Sequence, residues 1–289
     1  MNKYLTKPNS SLLKPIPRKI GRQNIGWDTK NIPFSGIDIW NCYEFSFLEK
    51  SGLPFAGILR IEYPAESEFL IESKSLKLYL NSFNMAYFEN NQEAINVIES
   101  DLKSALNSSN IKFALSTYKD FNQNFNSSKK FKCIDYLNKK NPFQYEVNPD
   151  LLQTLLHQGF VRQAKSAKKP EYYLMSNLLK SNCPITGHPD WGTVYIYYFT
   201  DKKEITEESL LHYIVSYRNH NEFHEECCER ILFDLVKKIQ PKKIAVFCKY
   251  NRRGGIDINP LRVYPKEKEF VKNLPIGLKK ILYLREFRQ

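Results

Sequence analysis

No run of about 18 consecutive apolar residues occurs anywhere in the chain, so an ordinary membrane-spanning helix is not expected. Met1 to Pro33 is polar and basic, without the apolar run of a signal peptide, and the expectation is a cytosolic, cytoplasmic protein with no membrane partner. The six cysteines (Cys42, Cys133, Cys183, Cys227, Cys228 and Cys248) are scattered without secreted-scaffold spacing, which argues for a reducing compartment and against disulfides. None of the eleven glycines forms GxGxxG, and no GK[ST] occurs. A nucleotide would therefore be held by something other than a Rossmann or P-loop cradle.

What is present is enough for a sizeable core, with 42% hydrophobic residues in 289. A formal charge of +12, with 18 tyrosines and 19 phenylalanines, invites a nucleic-acid reading such as a tRNA-binding module. The basic residues are dispersed, however, and no recognition motif accompanies them, so direct nucleic-acid binding is not expected.

The chain repeats itself. Gly57 to Tyr63 (GILRIEY) reads as a strand, followed by a turn and a helix over Ser73 to Phe83 (SKSLKLYLNSF). Val194 to Tyr198 (VYIYY) reads the same way, followed by a turn over Thr200 to Lys203 and a helix over Glu207 to Tyr217 (EESLLHYIVSY). Placing Ser82 on Ser216 also pairs Ser75 with Ser209, Leu76 with Leu210, Tyr79 with Tyr213 and Phe83 with Tyr217. Each copy continues with an amphipathic helix (Gln92 to Leu106; His224 to Ile239) and a strand ending in tyrosine (Ile111 to Tyr118; Lys243 to Tyr250). Duplicated units of an antiparallel sheet covered by two helices make an α+β class chain.

The copies differ in their polar residues. Ser181 to Gly192 (SNCPITGHPDWG) holds Cys183 between polar neighbours and a Pro-Ile-Thr-Gly turn, a setting that suits an accessible thiol. The thiolate is the nucleophilic form and needs polar or cationic surroundings. Cys227, Cys228 and Cys248 fall in apolar patterns and read as small core residues. Asp190, between Pro189 and Trp191 at a strand entrance, is a candidate acid if water is excluded there; a turn or capping aspartate is the ordinary alternative. His220, His224 and Cys227 would share one face of a continuous helix and could ligate zinc. That geometry fails if the helix begins near Glu222, and His224-Glu225 could equally grip a purine-like edge. Arg252-Arg253-Gly254-Gly255 suits a phosphate-rich ligand, or is a charged hairpin turn.

Together, Ile71 to Phe83, Ser181 to Gly192, Asn221 to Cys227 (NEFHEEC) and Arg252 to Pro260 (RRGGIDINP) resemble the 7-cyano-7-deazaguanine reductase family in its long two-module form. Phe34 to Trp40 (FSGIDIW) and Lys132 to Asp135 (KCID) also resemble family segments. The resemblance implies a tunnelling fold (T-fold) of two tandem ββααββ-like units with antiparallel sheets covered by helices, assembled as a homodimer. It places a basic N-terminal arm at 1–35, the first unit at 36–147 and the second at 148–289. It implies NADPH-dependent reduction of the nitrile 7-cyano-7-deazaguanine to 7-aminomethyl-7-deazaguanine in queuosine biosynthesis, a tRNA modification pathway. Cys183 then matches the nucleophile and Asp190 the proton donor. Ile71, Glu72, Ser73, His224 and Glu225 match substrate-binding positions, and Ser73, Lys74, Arg253 and Gly254 match NADPH contacts. No metal is implied. Pro184 and Gly187 look like the short form, His188 stands where glutamine is frequent, and Asn148 to Tyr173 matches poorly. A zinc-dependent, cyclohydrolase-like T-fold enzyme, with Cys183 and His224 as ligands, is the alternative within the same fold.

Overall fold

The computed structural model describes residues 6–117, 130–137, 142–156, 171–286 and 289. Tyr118 and residues 157–170, on which part of the sequence reading fell, lie outside these. The chain forms two compact units, and neither is continuous in sequence. The first comprises Met1–Gln23, Ile37–Gln123 and Arg252–Ile258; the second comprises Asn24–Gly36, Asn124–Asn251 and Asn259–Gln289.

In chain order the first unit draws on β1 (Pro15–Pro17), α1 (Arg18–Ile25), β2 (Ser35–Glu49), β3 (Pro54–Pro64), β4 (Phe69–Ile71), α2 (Ser73–Asn81), β5 (Tyr87–Phe88), α3 (Asn91–Leu106) and β6 (Lys112–Ser116). Its sheet runs β6-β3-β2 with antiparallel pairing, β5 adds to β2 in parallel, and β1 pairs antiparallel with β4. The second unit draws on β7 (Lys132–Cys133), β8 (Thr154–Leu156), β9 (Glu171–Asn182), β10 (Pro189–Phe199), β11 (Lys203–Ile205), α4 (Glu207–Ser216), α5 (His224–Ile239), β12 (Lys243–Tyr250), β13 (Ile256–Tyr264) and α6 (Ile276–Ile281). Its strands run β13-β12-β10-β9, all antiparallel, with β7 parallel to β9 and a separate β11-β8 pair. The fold is α+β and rich in antiparallel pairing.

The apolar positions of α2 and α3 explain the first core: Leu76, Tyr79, Leu80 and Phe83 meet Ala94, Ile98, Leu102 and Leu106 over Trp40, Phe45, Phe47, Leu59 and Ile61 of the sheet. In the second unit Leu210, Ile214, Ile231, Leu232 and Leu235 are fully buried, as are Val194, Val246 and Phe247 of the strands. These clusters remove enough apolar area from water to hold each helix on its sheet.

The duplication extends to individual hydrogen bonds. Ser75 donates to the Glu72 carbonyl and accepts from the Lys14 N–H; Ser209 donates to the Thr206 carbonyl and accepts from the Gln153 N–H. Tyr79 donates to Asp101 and Tyr213 to Asp234, at 2.7 and 2.6 Å. Both second helices end on a left-handed residue, Asn107 and Gln240. A repeated serine thus ties the first helix of each copy to the strand-bearing segment before it, by the same two bonds.

The segment read as a basic arm is structured where described. Arg18 and Arg22 are buried; Arg18 meets Asp38 at 2.5 Å and Arg22 donates to the Ala65 carbonyl at 2.7 Å. A guanidinium fork satisfied by a carboxylate and by carbonyls can leave water, whereas an unpaired one cannot. Among the described residues no helix is long and apolar enough to cross a membrane.

Candidate active site

β9 and β10 form a hairpin in which Asn182 pairs with Pro189 and Ser181 with Asp190. The ladder continues one step, since the Cys183 N–H donates to the His188 carbonyl at 2.9 Å, and the Gly187 N–H closes a turn onto the Cys183 carbonyl. Gly187 takes φ +67°, which only glycine adopts freely. In this register Cys183, Ser181 and Asp190 lie on one face, with Cys183 and Asp190 diagonal neighbours. Thiol and carboxylate therefore share a rigid two-strand element.

The thiol is less accessible than the loop composition suggests. Cys183 is 8% exposed and Asp190 is 7% exposed, while Pro184 to Pro189 are all exposed. The reason is the strand's period of two: Leu179, Ser181 and Cys183 alternate inward, and Cys183 continues that face past the end of β9.

Beside the hairpin, His220 to Glu222 adds a short parallel bridge to β9 through Asn182, whose N–H donates to the His220 carbonyl and whose carbonyl accepts from the Glu222 N–H. Phe223 then caps α5, which begins at His224. This start sets Nε2 of His224 3.2 Å from Oδ2 of Asp190. His224 also stacks on Tyr250, with ring centroids 3.9 Å apart and planes inclined by 22°. Glu225 is almost fully buried on the first turn. His220 lies outside the helix and contacts Glu222 at 2.9 Å, so the continuous zinc-ligating helix face does not form. Among the described residues no group of three or more His, Cys, Asp or Glu side chains is placed to hold a metal ion. Burial pushes the Cys227 and Cys248 thiols well up, which keeps them protonated, as befits core residues.

The remaining residues singled out by sequence lie in the first unit. Ile71 ends β4 in the core, opposite Pro15. Glu72 is the N-cap of α2, its two carboxylate oxygens accepting from the Lys74 and Ser75 N–H groups at 3.0 and 2.8 Å. A carboxylate offers about four acceptor sites, so the cap leaves capacity for a ligand. Ser73 is half-buried and Lys74 exposed on the first turn. In the Arg252 to Gly255 turn, Gly254 and Gly255 take φ +60° and +78°. Lys77 donates to the Gly254 carbonyl at 2.7 Å and pairs with Glu44 at 3.0 Å. A Cβ on Gly255 would stand 2.4 Å from Glu44 Cδ. Arg252 lies over the Tyr43 ring at 4.6 Å, and Tyr43 donates to the buried Asp257 at 2.6 Å. The positive-φ backbone of Gly254 and Gly255 beside the exposed Arg252 suits an anionic, phosphate-bearing group, although the space beside Gly255 itself is held by the Glu44 carboxylate.

Comparison with known proteins places the chain in a family. The family described as "Nitrile reductase, 7-cyano-7-deazaguanine-reductase N-term" matches residues 4–115, and "QueF-like protein" matches residues 189–269. The NADPH-dependent 7-cyano-7-deazaguanine reductase of Hydrogenovibrio crunogenus is 41% identical over 261 residues, covering 90% of this chain and 88% of that protein. The chain belongs to the NADPH-dependent 7-cyano-7-deazaguanine reductase family. The crystal structure of the archaeosine synthase QueF-Like in the apo form aligns at 19% identity and a TM-score of 0.30, covering 34% of this chain and 95% of that one, too distant to bear on the fold.

Within this reductase-family chain, Cys183, Asp190, His224 and Glu225 come from one unit. Ile71, Glu72, Ser73, Lys74, Arg253 and Gly254 come from the other. Sequence reasoning missed the ring under His224 and the clamp on Glu222, which binds Arg230 through both carboxylate oxygens. The strand-ending tyrosine was visible as a repeat feature, but nothing in its spacing tied it to the histidine.

Proposed function

We propose that this chain reduces 7-cyano-7-deazaguanine to 7-aminomethyl-7-deazaguanine with NADPH, as an enzyme of queuosine biosynthesis. The observation that carries this reading is the 41% identity over 90% of the chain to a protein of that name. The placement of Cys183 and Asp190 as diagonal neighbours on one hairpin supports it. The reading includes a T-fold built from two tandem units (36–147 and 148–289, after an arm at 1–35), a homodimer and a cytoplasmic setting.

The Cys183 thiolate adds to the nitrile carbon, forming a C–S bond, while the displaced π pair goes to nitrogen and takes a proton from Asp190. The product is a covalent thioimide. His224, in contact with Asp190, orients the substrate and assists proton delivery. Ile71, Glu72 and Ser73, with Glu225, bind the deazapurine; Glu72 accepts from its purine-like edge. Ser73, Lys74, Arg253 and Gly254 hold NADPH, which supplies one hydride for each of two reductions. Lys74 and Arg253 favour the extra phosphate of NADPH over NADH by charge. The burial of Cys183 and Asp190 keeps water from the reacting carbon between those reductions.

Cys183→Ala tests the reading directly. Incubated with the nitrile and NADPH, the wild-type protein should consume cofactor, and with the nitrile alone it should gain the substrate's mass. The variant should do neither. Full turnover by Cys183→Ala would remove the mechanism.

A further inference from the structure

We propose that Tyr250 is a positioning residue for this chemistry: its ring, seated against the bare Cα of Gly192, fixes the plane of the His224 imidazole beside Asp190. This rests on the assignment of Asp190 and His224 to the reaction and adds a residue to which no role has been given.

The arrangement is built from both sides. Gly192 is the cross-strand partner of Tyr250, two residues along β10 from Asp190. A Cβ at Gly192 would stand 3.2 Å from Cδ1 and 3.4 Å from Cε1 of the tyrosine, and 3.2 Å from the Lys249 carbonyl. A side chain at Gly192 would therefore press on the ring and force a shift of a few tenths of an ångström. The ring also carries His224, at 3.9 Å and 22°. The ring is wholly buried, and the strand that carries it is tied down where the Tyr250 main-chain carbonyl accepts from Gln289 Nε2 at 2.9 Å. Gln289 in turn donates to Asn259 at 2.7 Å.

His224 needs such a support. Its χ2 torsion is intrinsically broad, and Nε2 makes no aligned hydrogen bond although it lies 3.2 Å from Asp190. A parallel ring at van der Waals distance blocks rotation about that torsion while leaving the ring edge available to a proton. A tyrosine that merely filled the core would not need a glycine opposite it and an imidazole stacked on its ring.

The test uses the full-length protein with Tyr250→Phe, Tyr250→Leu and Gly192→Ala. The imidazole proton shifts are read by NMR on histidine-labelled protein, assigned among the five histidines with His224→Gln. Adduct formation with the nitrile is followed by intact mass, and kcat and KM are measured with NADPH. Tyr250→Phe should keep the ring-current shift of His224 and the wild-type adduct rate. Tyr250→Leu should lose the shift and slow adduct formation and kcat by about tenfold to a hundredfold, with little change in KM. Gly192→Ala should move both readouts the same way by less, and it carries the test alone if Tyr250→Leu does not fold. An unmoved His224 signal in the variants, or a lost shift with an unchanged adduct rate, would overturn the proposal. A wild-type protein that formed no adduct would sink the reductase chemistry and leave the ring stack to be judged by the imidazole signal.

Discussion

Nε2 of His224 and Oδ2 of Asp190 stand 3.2 Å apart, with 12% and 6% of their side chains exposed, and the contact lacks hydrogen-bond alignment. Such loose apo contacts tighten when substrate completes the site. The pair brings together the start of a helix and the entrance of a strand. The same strand's hairpin carries Cys183 on the same face, so in the proposed reaction attack and protonation would be organised by one rigid element and the helix end packed beside it.

Asp190→Asn separates protonation from binding. The amide keeps the shape of the carboxyl but cannot deliver its proton. Nitrile binding, measured by calorimetry, should persist. The adduct rate and kcat should fall by about 10² to 10⁴, the usual contribution of a positioned acid. An undiminished rate would demote Asp190 to the turn-forming role that its Pro-Asp-Trp context also fits.

Much of this was legible from residue order. The helices that start at His224 and end at Leu106, and the strand Lys243–Tyr250, fall where period and alternation put them, because their apolar positions face a core and nothing competes. The thiol and carboxylate were visible as a Cys-to-Asp spacing on a stiff loop. What sequence hid depends on cross-strand register. That Cys183 faces inward follows from which strand face is buried, and that Tyr250 lies under His224 follows from Gly192 being its partner. The zinc reading failed for a local reason: Asn221 to Phe223 is drawn out as extended chain by its bridge to Asn182, so His220 never joins the helix.

Glu72 is assigned to two tasks, and two substitutions pull them apart. Glu72→Gln keeps a side-chain oxygen for the cap of α2 but removes the charge. The melting temperature should fall a little, because the amide nitrogen cannot accept from one of the two capping N–H groups, while KM for the nitrile rises about tenfold, the scale of losing a hydrogen bond to a charged group. Glu72→Ala should show the same KM effect and lose about 1 kcal/mol more stability, because the Lys74 and Ser75 N–H groups lose their acceptor. Equal KM values for wild type and Glu72→Gln would leave Glu72 a cap alone.

Glu222 predicts a pH signature in stability. Burial raises its carboxyl, but the hydrogen bonds from His220 and Arg230 and their charges outweigh burial, and the net shift is downward. A carboxyl held lower when folded stabilises fully above its unfolded value of about 4.3 and loses that contribution as pH falls through the folded value. Glu222→Gln should therefore cost about 3 kcal/mol at neutral pH, where it leaves Arg230 half-buried without its carboxylate. Its stability should also fall less steeply than wild type on acidification below about pH 4. Urea unfolding at neutral and acidic pH measures both. Parallel curves for the two proteins would show that the clamp adds nothing.

The glycine turn separates the two chemical stages. Gly255 has φ +78°, and an added Cβ would meet Glu44 at 2.4 Å, displacing the carboxylate that pairs with Lys77. Lys77 also bonds the Gly254 carbonyl, so the whole turn should shift. In the proposed mechanism adduct formation requires no cofactor. Gly255→Ala should therefore gain the nitrile's mass at the wild-type rate, while KM for NADPH rises about tenfold or more, as expected when a backbone with positive φ is forced to carry a side chain against a charged neighbour. If instead the adduct rate falls and KM for NADPH is unchanged, the turn does not serve the cofactor, and the phosphate-binding role assigned to Arg253 and Gly254 fails with it.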